Sequence, residues 1–205
     1  MTQTLLALDT STPACSVALC HRGQIHQRLQ LEERQHSRVL LPLVDELLAE
    51  AGLGLTALDG LICTSGPGAF TGLRVGAAMA SGLAAALQRP LYPLSSLALL
   101  AASGRARLGP LPLLAVLNAQ MGEIYAGLYD ADGRCLEPDW LGRPEALPPA
   151  YRNAEWAVGS GTVYPLPLPG QMLVPEAQHA FGLPLPPALA PNEALPLNYL
   201  RNSVV

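Results

Sequence analysis

The chain has 205 residues, with 12 arginines and no lysine against 16 acids, a formal charge of −4, half of it hydrophobic and only 14% charged. That is enough apolar material for one substantial core or two small lobes sharing an interface. The arginines are scattered and the pI is near 5.5, which excludes a basic stripe that grips phosphate backbones, so any RNA must be held by something else.

Residues 4–9, an apolar run stopped by Asp9 and a Thr-Ser-Thr-Pro turn, predict a buried strand. Residues 14–20 predict a second strand, Arg22-Gly23 a turn, and 24–30 a third strand, giving an antiparallel meander. From Ser37 the period changes: Val39, Leu40, Leu43, Val44, Leu47, Leu48 and Ala51 follow helical spacing up to Gly52, with Ser37 as N-cap. Pro42 predicts a kink in this helix or a later start. Residues 58–64 predict a buried strand, Ser65-Gly66-Pro67-Gly68 a sharp turn, and Thr71 the cap of a second helix to Leu87. A strand over 90–94 and a short helix to Ala102, capped by Ser95 or Ser96, follow. Three antiparallel strands followed by β-α units make a mixed sheet with helical cover.

Gly104 to Pro112 is the best boundary in the chain, dividing a lobe of residues 1–104 from a smaller, proline-rich lobe of residues 105–205. Strands at 113–117 and 122–129, with turn material at 130–133 leading to a third, repeat the opening meander. Trp156 to Gly161 reads as one more strand and turn. The dense prolines from Pro144 to Pro187 predict short elements only.

The cysteines, Cys15, Cys20, Cys63 and Cys135, have no zinc-site spacing and point to a reducing compartment. The N-terminus lacks the basic region of a signal peptide. The longest apolar stretch, Leu73 to Leu87, carries Arg74 and reads as too short to cross a bilayer. The expectation is a cytoplasmic protein.

Asp9-Thr10-Ser11-Thr12 sets short hydroxyls and open amides beside one carboxylate. That arrangement suits a phosphate hairpin of the kind found in actin-like ATPases, and equally a turn closed by its own side chains. Where those ATPases usually have glycine, this chain has Ser11. The segment from Ser65 to Arg74 is not a Walker A loop, yet a helix start after glycines attracts anions. The nucleotide candidates are therefore Asp9, Thr10, Ser11, Gly66, Gly68 and Thr71. The second helix carries Gly72, Gly76, Ala80 and Ala84 at intervals of four, which lets a neighbouring helix approach closely. With the broad apolar face of the first helix this predicts a partner interface through Leu40, Leu43, Leu47, Gly72, Arg74, Gly76 and Ala80. The histidines, His21, His26, His36 and His179, include no i, i+4 pair on a helix, and no G-x-S-x-G occurs, so neither metal nor catalytic residues are assigned.

Several segments together are similar to the bacterial TsaB (YeaZ) family. They are Leu6 to Thr12 with Cys15 to Leu19, His36-Ser37 with Leu40-Leu41-Pro42, and Gly66-Pro67-Gly68 with Phe70-Thr71-Gly72-Leu73-Arg74. Ser95-Ser96-Leu97 and Met121-Gly122-Glu123-Ile124-Tyr125 complete the set, and the resemblance returns weakly at Tyr199-Leu200-Arg201. It implies an α/β, two-lobed actin-like ATPase (ASKHA, ribonuclease H-like) fold with mixed sheets, helical cover, a smaller second lobe and no catalysis of its own. It further implies a TsaD-like catalytic partner and a TsaE-like ATPase, which together transfer threonylcarbamoyl to adenosine 37 of tRNAs reading ANN codons. The chain would homodimerise when alone and meet tRNA only through the complex. It would bind no cofactor tightly, with ATP or ADP as a candidate ligand at a subunit junction. Asn118-Ala119-Gln120 stands where the family often has Asp-Ala-Arg. The rival class is an enzyme: a nucleotide hydrolase using Asp9 and the 66–72 loop or, with no nucleophile–base pair or metal set to support it, a peptidase.

Overall fold

The computed structural model describes residues 3–31 and 35–200; Met1, Thr2 and Arg201, which entered the readings above, lie outside the described residues. The chain order is β1 (Leu5–Asp9), β2 (Ala14–His21), β3 (Gln24–Leu31), α1 (His36–Glu50), β4 (Gly60–Gly66), α2 (Phe70–Leu87), β5 (Leu91–Ser95) and α3 (Ser96–Leu108). It continues with β6 (Leu113–Gln120), β7 (Glu123–Tyr129), β8 (Trp140–Gly142), β9 (Trp156–Val158) and β10 (Gly170–Gln171). Two five-stranded mixed sheets result, ordered β3-β2-β1-β4-β5 and β10-β9-β6-β7-β8. In the first, β1 pairs antiparallel with β2 and parallel with β4. In the second, β6 pairs antiparallel with β7 and parallel with β9. The second sheet thus repeats the connectivity of the first.

Strand alternation assigns each sheet two apolar faces. Leu6 and Leu8 of β1 point outward into a core shared with α1 and α2, while Leu5 and Ala7 point inward. Leu114 and Val116 of β6 point out to Leu147, Tyr151 and Ala154, while Leu113, Ala115 and Leu117 point in to Leu97, Leu100 and Ala101 of α3. Helix α3 lies between the sheets and is apolar on most sides, as a buried helix must be. Beside it runs a 3-10 segment, Ala177–Gly182, whose Ala177 and Ala180 pack on the inner face of the first sheet.

Several sequence expectations are corrected here. The boundary at residue 104 falls inside α3, which continues to Leu108 and ends at Gly109. Gly104 is there for close packing: a Cβ would come within 2.8 Å of Leu113 Cδ1 and 3.1 Å of Val158 Cγ2. Nor is 105–205 a contiguous lobe, because the chain returns to the first. The Ala177 N–H donates to Ser16 Oγ at 2.8 Å, and Leu195 is buried in the first lobe's outer core. Helix α1 starts at His36 and runs through Pro42, so Ser37 is inside the helix and caps nothing. Pro42 removes the donor for the Arg38 carbonyl, and both residues are exposed to water. The predicted cap at Ser95 is present, its hydroxyl accepting from the Ala98 N–H.

Candidate functional site

The first candidate site is the β1–β2 hairpin. Asp9 ends β1 and is fully buried. Its Oδ1 accepts from the Thr64 hydroxyl at 2.7 Å and, at 3.4 Å, from the Ser11 N–H. Its Oδ2 and the Ser11 hydroxyl are buried with no hydrogen-bond partner. Burial outweighs the Thr64 and Ser11 hydrogen bonds and pushes the Asp9 carboxyl up to about 6. His36, nearly buried at the head of α1, donates its Nε2–H to the Thr12 carbonyl at 3.0 Å and fixes the hairpin from the other side.

Helix α2 closes on this hairpin without a gap. The Ala69 N–H donates to the Ser11 carbonyl at 2.7 Å, and the Thr10 hydroxyl donates to the Gly72 carbonyl at 2.8 Å. A Cβ on Gly68 would stand 2.4 Å from Ser11 O, one on Gly72 2.1 Å from Thr10 O, and one on Gly76 2.3 Å from Thr10 Oγ1. The glycines are the groove in which the chain's own hairpin lies.

That geometry corrects the nucleotide set. Asp9, Thr10, Ser11 and Gly68 do come together, but Gly66 has the Asn198 carbonyl and Leu73 as its neighbours, Thr71 sits one residue inside α2 on its exposed side, and the residue before the helix is Ala69. A phosphate between hairpin and helix needs open amides; here the hairpin turns carbonyls towards α2, and the Ala69 amide is already used. These residues do not fit a phosphate between them. Among the described residues no cluster of three His, Cys, Asp or Glu side chains comes together to hold a metal ion. In the second lobe Asn118 Oδ1 accepts from the Gln120 N–H at 2.8 Å and the Tyr164 hydroxyl at 3.3 Å, so an amide serves the turn where a carboxylate is usual.

The second candidate site is the outer helical layer, and here the predicted interface changes face. Leu40, Leu43, Leu47 and Ala80 are buried in the first lobe's own core, and Gly72 and Gly76 lie on the Thr10 hairpin. None of these six is a surface waiting for a partner; the small side chains are needed for contact within the chain. Of that set only Arg74 is exposed. The sequence holds a second row at the same spacing, two positions out of step: Arg74, Ala78, Gly82 and Ala86 all face solvent, and nothing lies within 4 Å of a Cβ on Gly82. Two rows of small residues on one helix look alike in the sequence, and only the position of the hairpin decides which is covered. Beside them α1 exposes Leu41 and Pro42. At 18 residues, with Arg74 its one charge, α2 is also long and apolar enough to cross a membrane, contrary to the estimate from Leu73 onward, while its buried row packs on the first lobe's own hairpin and core.

The family model described as TsaD, tRNA N6-adenosine threonylcarbamoyltransferase, matches residues 30–150. The tRNA threonylcarbamoyladenosine biosynthesis protein TsaB of Escherichia coli (strain K12) is 35% identical over 164 residues, 77% of this chain and 71% of that protein. The chain belongs to the TsaB (YeaZ) family. The TsaB of Haemophilus influenzae is 46% identical over 122 residues, a match that spans 60% of this chain and only 52% of that relative. The solved structure of YeaZ from Pseudomonas aeruginosa superposes with a TM-score of 0.85 at 35% identity, covering 96% of this chain and 100% of that one. The two sheets are accordingly the two lobes of the actin-like fold of TsaB proteins, and the Gly66 to Arg74 segment carries the chain from the end of β4 into the first turn of α2.

Proposed function

We propose that this chain is a non-catalytic, cytoplasmic subunit of the machinery that places threonylcarbamoyl on N6 of adenosine 37 in tRNAs reading ANN codons. It docks the exposed sides of α1 and α2 onto a TsaD-like catalytic subunit, works beside a TsaE-like ATPase, and pairs with its own copy when alone. It meets tRNA only through the complex. The reading assigns it no tightly bound cofactor; ATP or ADP, where present, would be held at the subunit junction.

The observation that carries the reading is the exposed row Ala78, Gly82, Ala86 on an 18-residue helix whose opposite row is already buried. Small side chains let a second helix approach closely, and isolated apolar surface of this length is rarely left wet. The names of the relatives supply the pathway.

Gly82→Trp is the test, because the position faces solvent and nothing in the chain lies within 4 Å of a Cβ there. The variant is expected to keep its melting temperature within about 2 °C and to stop comigrating with the TsaD-like subunit in size-exclusion chromatography. A folded variant that still forms the complex removes the reading.

A further inference from the structure

The first lobe is crossed by a strap formed by residues 189–199. Leu189 and Leu91 exchange backbone hydrogen bonds on the free side of β5, at 2.8 and 3.4 Å. The Leu195 N–H donates to Ser81 Oγ at 3.0 Å, and the Asn198 N–H to the Ser65 carbonyl at 2.7 Å. The Asn198 carbonyl lies over Gly66, where a Cβ would be 2.7 Å away. The strap thereby delivers Tyr199 to the first turn of α2.

There it meets Phe70 and Arg74. The rings of Phe70 and Tyr199 stand 5.5 Å apart, the Arg74 guanidinium lies 3.8 Å above the Phe70 ring centroid, and the Arg74 Nε–H donates to the Tyr199 hydroxyl at 3.2 Å. Phe70 and Tyr199 keep 42% and 41% of their surface exposed, so the cluster is built at the surface. The guanidinium is held below by a ring and along one edge by a hydroxyl. No acceptor among the described residues takes Nη1 or Nη2.

We propose that Arg74, positioned by Phe70 and by Tyr199 of the strap, is the anchor for a carboxylate on the protein that docks against α2. This rests on the docking reading above and names what the docking partner must carry. Arg74 is the one charged residue of α2 and heads the exposed small-residue row. Docking there strips water from the cation, and an unpaired buried charge is costly, so the facing surface must supply an anion. A planar guanidinium with Nη1 and Nη2 open takes a carboxylate in two parallel hydrogen bonds. A nucleic-acid phosphate is the lesser match: α2 adds no second cation, and the arginines of the chain are scattered.

The test uses the full chain and the TsaD-like subunit, with Kd from titration calorimetry for the wild type, Arg74→Ala, Arg74→Lys, Tyr199→Phe and the Arg74→Lys/Tyr199→Phe pair. Arg74→Ala is expected to weaken binding by at least about 30-fold. Arg74→Lys should recover only part of that, because it restores charge without the fork. Tyr199→Phe keeps the ring and loses the acceptor, so a loss of roughly three- to tenfold is expected, and it should vanish in the Arg74→Lys background, which a merely structural role would not produce. Wild-type affinity of Arg74→Ala, while Gly82→Trp abolishes docking, overturns the anchor and leaves the docking reading standing. Wild-type affinity of Gly82→Trp overturns both. Additive losses in the pair remove the positioning role of Tyr199, and a loss confined to tRNA binding by the assembled complex makes Arg74 a phosphate contact instead.

Discussion

The two lobes share one strand order and differ in what covers it. Outside the first sheet lie α1 and α2, of 15 and 18 residues. In the same topological places outside the second lie only the 3-10 turns Pro144–Ala146, Pro149–Asn153 and Ser160–Val163. Yet the sheet contacts repeat. In the first lobe Gly72, past β4, presses on the Thr10 carbonyl at the end of β1; in the second Gly159, past β9, has its notional Cβ 2.2 Å from the Val116 carbonyl of β6. Ladder and glycine contacts define the fold, while the outer helices are an addition that one lobe retains and the other lacks. The helical surface proposed for docking therefore belongs to the first lobe alone.

The sharpest way to break this comparison is to fill both glycine contacts. Gly72→Val and Gly159→Val each drive a side chain into a backbone carbonyl and are expected to cost about 3 kcal/mol or more, read from urea unfolding. A mild effect in one lobe would show that the sheets are not held alike. Next in size, the outer cores should separate the lobes. Leu47→Ala opens a cavity under two rigid helices and is expected to cost about 3–4 kcal/mol, whereas Leu147→Ala, under turns that can settle inward, should cost nearer 2. Equal losses would mean the turns are as stiff as the helices.

A smaller effect follows from pH. The folded chain holds the proton on Asp9 more tightly than the unfolded chain does, with the carboxyl raised from 3.8 to about 6. Stability is therefore highest below about pH 4 as far as this group is concerned, falls as pH rises towards 6, and is level beyond, by roughly 2–3 kcal/mol in all. Asp9→Asn should remove this contribution, about half of the fall in stability between pH 4 and 7 that the two raised carboxyls produce together, because burial likewise raises Asp139 of the second lobe to about 6. A profile unchanged by Asp9→Asn would rule out the buried carboxylate as its source.

The first lobe was largely legible because its signals are local. Short apolar runs bounded by turn residues mark β1 and β2, alternation marks β3, all within a residue or two, and the 3.6-residue period marks α1. What escaped was decided at a distance. Gly104 reads as a helix stop until Leu113 and Val158, strands away, are seen to require its missing side chain. The row Gly72, Gly76, Ala80 reads as surplus surface until the Thr10 hairpin lies on it, and the exposed row beside it carries the same spacing. Tyr199 lies 125 residues beyond the arginine that it positions, and no periodicity links them.

Residues 177–195 complete the first lobe, with Ala177, Ala180 and Leu195 buried against strands laid down at its start. On a translating ribosome the opening strands and helices must therefore wait, partly bare, until nearly two hundred residues have been made. Loop closure over such a span is slow relative to local pairing, so the nascent half-molecule is the form that holding chaperones would meet.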